Sequence, residues 1–163
     1  MPSFDIVSKI DGQTLDNAVN NAKKEILNRY DFQTSKSSID LDKKSNVITI
    51  VTEDDMRLKA ITDSIISRML KQKLDPKSLD FGKETIASGN MIRKEVKIQE
   101  GIDKETAKKI VAKIKESKIK AQASIMEDQV RVQSKNIDDL QKVIALCREE
   151  DFGQPLQYIN MRN

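Results

Sequence analysis

The side chains able to perform chemistry are few, and their spacing narrows the choice further. The chain of 163 residues contains no histidine, the commonest general base and metal ligand, and one cysteine, Cys147. Zinc catalysis and histidine-dependent triads are excluded on that ground. Cys147 stands at helical spacing from Leu140, Val143 and Ile144, so it reads as a small core residue, not a nucleophile. Carboxylates occur in pairs at Asp54-Asp55 and Asp138-Asp139, each just ahead of an apolar helical stripe. Helix capping and a favourable position on the helix dipole explain both pairs better than acid–base work does. The five glycines form neither GxGxxG nor GxxxxGK[ST], which leaves no phosphate loop of known type. Gly101 precedes a helix start, where free NH groups can hold a phosphate, but a permissive residue in a strand-to-helix turn accounts for it. The residues therefore predict a binding protein without enzymatic activity, metal or cofactor.

Charge is the remaining signal. Basic and acidic residues balance at 14 each over residues 1–88, and the excess, 15 against 12, falls in residues 89–163. Residues 104–120 hold seven lysines, from Lys104 to Lys118 and Lys120, against Glu105 and Glu116. An anionic partner is expected there. A lone cysteine makes no internal disulfide, no apolar run nears the ~20 residues that cross a bilayer, and MPSFDIVSK lacks the pattern of a secretory signal. The expected setting is cytoplasmic, away from membranes.

These residues must be positioned by strands and helices whose periods are easily read. Residues 3–9 alternate as a strand, and 13–29 carry Leu15, Val19, Ala22 and Ile26 at helical spacing. SIDLD at 38–42 and NVITIVT at 46–52 predict a hairpin, followed by a helix capped at Asp54 or Asp55 with Leu58, Ile61, Ile65 and Met69 inward. A short strand over 78–81 closes the first half, and GKETIASGN at 82–90 is the expected connector. The order then recurs: a strand at 91–99, a helix capped by Asp103, strands at 119–125 and about 130–133 joined by a turn, a helix through Ile137 to Cys147, and a last strand in PLQYINM. Ile48, Ile50, Leu58 and Ile61 recur 82 residues later as Val130, Val132, Leu140 and Val143. The fold class is α+β, with two split βαβ, ferredoxin-like sheets arising by duplication.

Assigned to the second half, the 91–99 strand would place Arg93, Glu95 and Lys97 on one open sheet face with Lys120, Gln122, Ser124, Arg131 and Gln133. That face is polar and has no aromatic residue, unlike RNA-recognition sheets of this topology, which stack bases.

Several longer strings carry a resemblance. MPSFDIVS at the start, RYDF at 29–32, KKIVAKIKESKIKAQASI at 108–125, IDDLQKVIA at 137–145 and PLQYINMRN at 155–163 are similar to the YajQ family of bacterial proteins, nearly end to end. The resemblance implies that the two domains exchange first strands. One would span 10–100, with 91–99 as its exchanged strand, and the other 1–9 plus 101–163. It also implies a non-enzymatic regulatory protein that binds a nucleotide, ATP, GTP or cyclic di-GMP, and acts through a protein partner. Family-like positions that would contact the nucleotide are Phe4, Asp5, Arg29, Asp31, Lys118, Lys120, Arg131 and Arg162, with Gln157 and Asn160 nearby in the pattern. An RNA-binding or tRNA-binding protein using the same basic surface is the alternative.

Overall fold

The computed structural model describes residues 1–163. Eight strands and four helices follow in the order β1 (Ser3–Val7), α1 (Gly12–Leu27), β2 (Ser38–Asp42), β3 (Val47–Thr52), α2 (Asp55–Lys71), β4 (Leu79–Ala87), β5 (Met91–Ile98), α3 (Lys104–Glu116), β6 (Gln122–Met126), β7 (Gln129–Gln133), α4 (Ile137–Glu149) and β8 (Gln157–Arg162). The chain forms two compact units, Ile10–Gln99 and Met1–Lys9 with Glu100–Asn163. No helix is long and apolar enough to cross a membrane.

Each unit contains one antiparallel four-stranded sheet, in the order β2-β3-β5-β4 for the amino-terminal unit and β6-β7-β1-β8 for the carboxyl-terminal one. Both orders are ferredoxin-like. In each sheet the inner position of a first strand is filled from outside the half that periodicity assigned to it: β1, from the start of the chain, pairs with β7 and β8, and β5, which follows β4 through a turn, pairs with β3 and β4. Alternation keeps the apolar side of each inner strand inward. Phe4 and Ile6 lie opposite Val132 and Val130 and pack with Ile110, Ile114 and Leu140, while Val96 lies opposite Ile48 and packs with Leu58 and Ile61. Complete burial of such side chains contributes about 1.5–3 kcal/mol each.

This arrangement overturns the open face expected from periodicity. Arg93, Glu95 and Lys97 lie on β5 in the amino-terminal sheet, and Arg93 pairs with Glu95 at 3.3 Å. The expected connector at 82–90 is largely strand: β4 runs on to Ala87, and Thr85 and Ile86 pair with Arg93 and Ile92. A turn at Ser88–Asn90, with Gly89 and Asn90 both left-handed, then reverses the chain. Gly82 is required by close approach, because a Cβ there would stand 2.8 Å from the Glu95 carbonyl oxygen.

Capping follows the expectation at α2, where Asp54 accepts from the Arg57 NH, and at α3, where Asp103 accepts from the Thr106 NH. At α4 the cap is Asn136, which accepts from the Asp138 NH; Asp138 and Asp139 occupy the first turn, where the helix dipole still favours them.

Candidate functional site

Unpaired positive charge gathers where α3 hands over to β6 and β7 hands over to α4. Helix α3 buries Ala107, Ile110 and Ile114 and ends at Glu116. Ser117 donates its hydroxyl to the Ile114 carbonyl at 2.6 Å, and Lys118 adopts a left-handed backbone with φ 60°, the usual device for leaving a helix. The strand expected from residue 119 therefore starts only at Gln122, leaving Lys118 to Ala121 as an irregular segment. On the other side, Ser134 is buried, donates its hydroxyl to the Lys120 carbonyl at 2.7 Å and accepts from the Asn136 NH at 3.3 Å. One serine thus fastens both connections together.

Between them lies an open groove of about 960 Å³, whose polar lining includes Lys118, Lys120, Gln122, Gln133, Ser134, Lys135, Asn136, Asp139 and Lys142. Lys142 lies 3.8 Å from Asp139, whereas Lys118, Lys120 and Lys135 are not engaged by any carboxylate. Four ammonium groups against one carboxylate make the groove attractive to anions. Its apolar lining is Met1, Ile119 and Ala121, without an aromatic ring.

The residues named from the sequence divide among four places. Lys118 and Lys120 line this groove. Asp5, Arg131 and Arg162 gather on the open face of the same sheet. There Asp5 lies opposite Arg131 in register and accepts from Arg131 Nε at 3.0 Å and from Asn160 Nδ2 at 2.9 Å. Burial pushes the Asp5 carboxyl upward, but the hydrogen bonds from Asn160 and Arg131 and the charges of Arg131 and Arg162 outweigh it and hold the group below the ordinary carboxylate value. Arg131 is accordingly a partnered cation. A cross-strand row of Gln122, Gln133, Ser3 and Arg162 runs from the groove over this face. Phe4 is 1% exposed and meets Tyr158 edge-on in the core, so it has no face to offer a base. Arg29 and Asp31 belong to the other unit and bind each other by two hydrogen bonds of 3.0 and 2.9 Å.

None of the lysines of α3 lines the groove. Lys113 is tied to Glu150 at 2.8 Å, and that hydrogen bond and charge raise its pKa. Lys135, Lys142, Ser134 and Asn136 were missed from the sequence, although a signal existed. A hairpin places residues equidistant from its turn side by side, so pairing Gln122 with Gln133 brings the segments before and after it together at the open end. Cys147 is 2% exposed and burial lifts its pKa to about 11, in keeping with a core role.

Comparison with known proteins agrees over the full length. The family described as "Nucleotide-binding protein YajQ-like" matches residues 2–162. A protein from Cytophaga hutchinsonii named "Nucleotide-binding protein" is 56% identical over 162 residues, covering 99% of this chain and 100% of that one. Relatives with the same name from Oleidesulfovibrio alaskensis and Geotalea daltonii are 53% and 52% identical, over 163 and 162 residues. The first covers 100% of both chains, the second 99% of both.

Proposed function

Since the chain belongs to the YajQ-like family of nucleotide-binding proteins, we propose that it binds a nucleotide in the basic groove of its carboxyl-terminal unit and acts by binding, without turnover. The supporting observation is the meeting of Lys118, Lys120 and Lys135, none held by an acid, at a groove of ligand size. Phosphate oxygens would accept from these ammonium groups, and Lys142 would add a fourth. Bound ligand would hold the Lys118 to Ala121 segment against the start of α4. That ordering would present the neighbouring β6 edge to a protein partner and give the protein a regulatory role.

Titration with ATP, GTP and cyclic di-GMP, followed by calorimetry, tests the site. The double substitution Lys118→Gln, Lys120→Gln is expected to weaken binding about tenfold, since two lost charge contacts of about 0.7 kcal/mol each amount to the 1.4 kcal/mol that a factor of ten requires. Lys108→Gln, on α3 outside the groove, should change nothing. Equal affinity in the folded double variant would remove the groove from consideration.

The open side of the groove and its lack of base-stacking rings also suit an RNA backbone. For that reading, log K should fall linearly with log salt, steeply enough to count several phosphates. A flat response excludes it.

A further inference from the structure

The lining of the groove points beyond nucleotide binding as such to which part of the nucleotide is recognised. Proteins read a base by stacking it on aromatic or guanidinium planes and by meeting its edge with buried polar groups. The groove supplies neither plane: no Phe, Tyr, Trp or Arg lines it. Its buried hydroxyl, on Ser134, already donates to the Lys120 carbonyl. What it supplies is charge, from Lys118, Lys120, Lys135 and Lys142, with Asp139 offsetting one. An ammonium group is a compact point charge on a flexible stem and lacks the fixed fork by which arginine distinguishes shapes. A set of them responds to how many negative charges lie close together and little else.

We propose that the groove recognises a run of consecutive phosphates and is indifferent to the base, so that its ligand class is the triphosphate group, whether carried by a nucleoside or free as short linear polyphosphate. The inference rests on the nucleotide-binding reading and narrows it. Affinity then rises with phosphate number, and a cyclic dinucleotide, whose two phosphodiesters are separated by sugars, binds less tightly than a triphosphate.

The test is a competition series on the full chain at fixed ionic strength, without divalent cations, using ATP, GTP, CTP, tripolyphosphate, pyrophosphate, orthophosphate, adenosine, guanosine, cyclic di-GMP and a single-stranded RNA 12-mer. The expected result is that ATP, GTP, CTP and tripolyphosphate agree within about threefold, that each phosphate removed costs about tenfold, and that the nucleosides do not compete; the scale is set by 1.4 kcal/mol per factor of ten. Lys118→Gln with Lys120→Gln should weaken tripolyphosphate and ATP equally. Preference for one base by more than about thirtyfold, the discrimination that site-specific polar contacts readily exceed, overturns the proposal while leaving nucleotide binding intact. So does tight binding of cyclic di-GMP or RNA that tripolyphosphate fails to displace. If no nucleotide binds the folded protein, both readings fall together.

Discussion

Deletion of Met1–Ser8 is expected to unfold the carboxyl-terminal unit and leave the amino-terminal unit folded. The removed segment contains an inner strand, β1, whose ladders to β7 and β8 hold that sheet together. Phe4 and Ile6, at 1% and 0% exposure, leave the core with it. Their loss alone approaches about 3–6 kcal/mol, against total stabilities of about 5–15 kcal/mol for ordinary domains. Strand β8 also loses its sheet neighbour. The other unit, Ile10–Gln99, contains all four of its strands and both helices in one continuous stretch. Amide spectra of the truncated chain should keep dispersed signals for residues 10–99 and show collapsed, rapidly exchanging signals for 100–163. Retained dispersion in the second set would show that the sheet survives without β1.

The second large effect is expected at Asp5. Its side chain is 3% exposed and both carboxylate oxygens are engaged, one by Arg131 and one by Asn160. Asp5→Ala leaves the Arg131 guanidinium, 27% exposed, without its counterion and Asn160 without an acceptor. Because Arg131 retains some access to water, the cost should fall at or below the low end of that for broken buried pairs, about 2–3 kcal/mol. A urea titration measures it, and adding Arg131→Met to Asp5→Ala should recover part of the loss if the pair is coupled.

The pH dependence follows from the direction of the Asp5 shift. A carboxyl held below 3.8 in the folded state contributes stability that is complete well above that value and is lost as pH falls through the folded value. Asp11, Asp54 and Asp103 are shifted the same way by hydrogen bonds from the Thr14 hydroxyl, the Arg57 NH and the Thr106 NH. Glu25 and Asp42 are lowered too, by hydrogen bonds from Arg68 and from the Lys44 NH, so the wild-type urea midpoint should drop steeply below about pH 4 and the Asp5→Ala midpoint less steeply, since one of six contributions is gone. Parallel acid limbs for the two proteins would mean that Asp5 is not ionised through its folded-state contacts.

Most elements were legible because each depends on a local period and a local cap. Leu58, Ile61, Ile65 and Met69 mark α2, and Asp54 marks its start, without any knowledge of the rest of the chain. Strand partnership is different in kind. Phe4 and Ile6 on β1 and Val96 and Ile98 on β5 present the same apolar alternation, and either strand would satisfy either core. Only the family resemblance pointed to the exchange, and periodicity by itself misassigned Arg93, Glu95 and Lys97. The same gap governed the site. Lys118 and Lys120 were singled out, but Lys135 and Lys142 become their neighbours only through the register of the β6–β7 hairpin. Arg29 and Asp31, close in sequence, satisfied each other, and Phe4 proved to be core.

The placement of β1 also sets an order of events during synthesis. Its residues leave the ribosome well before Gln133 and Arg162, which flank Ser3 in the finished sheet. At about 5–20 residues per second, the nascent chain carries Phe4 and Ile6 without a sheet for about 6–30 seconds. The contiguous stretch 10–99 is free to finish folding in that interval. Until the tail emerges, an early strand on one nascent chain is open to capture by the late strands of another, so crowded polysomes are where this topology is most exposed to swapped dimers.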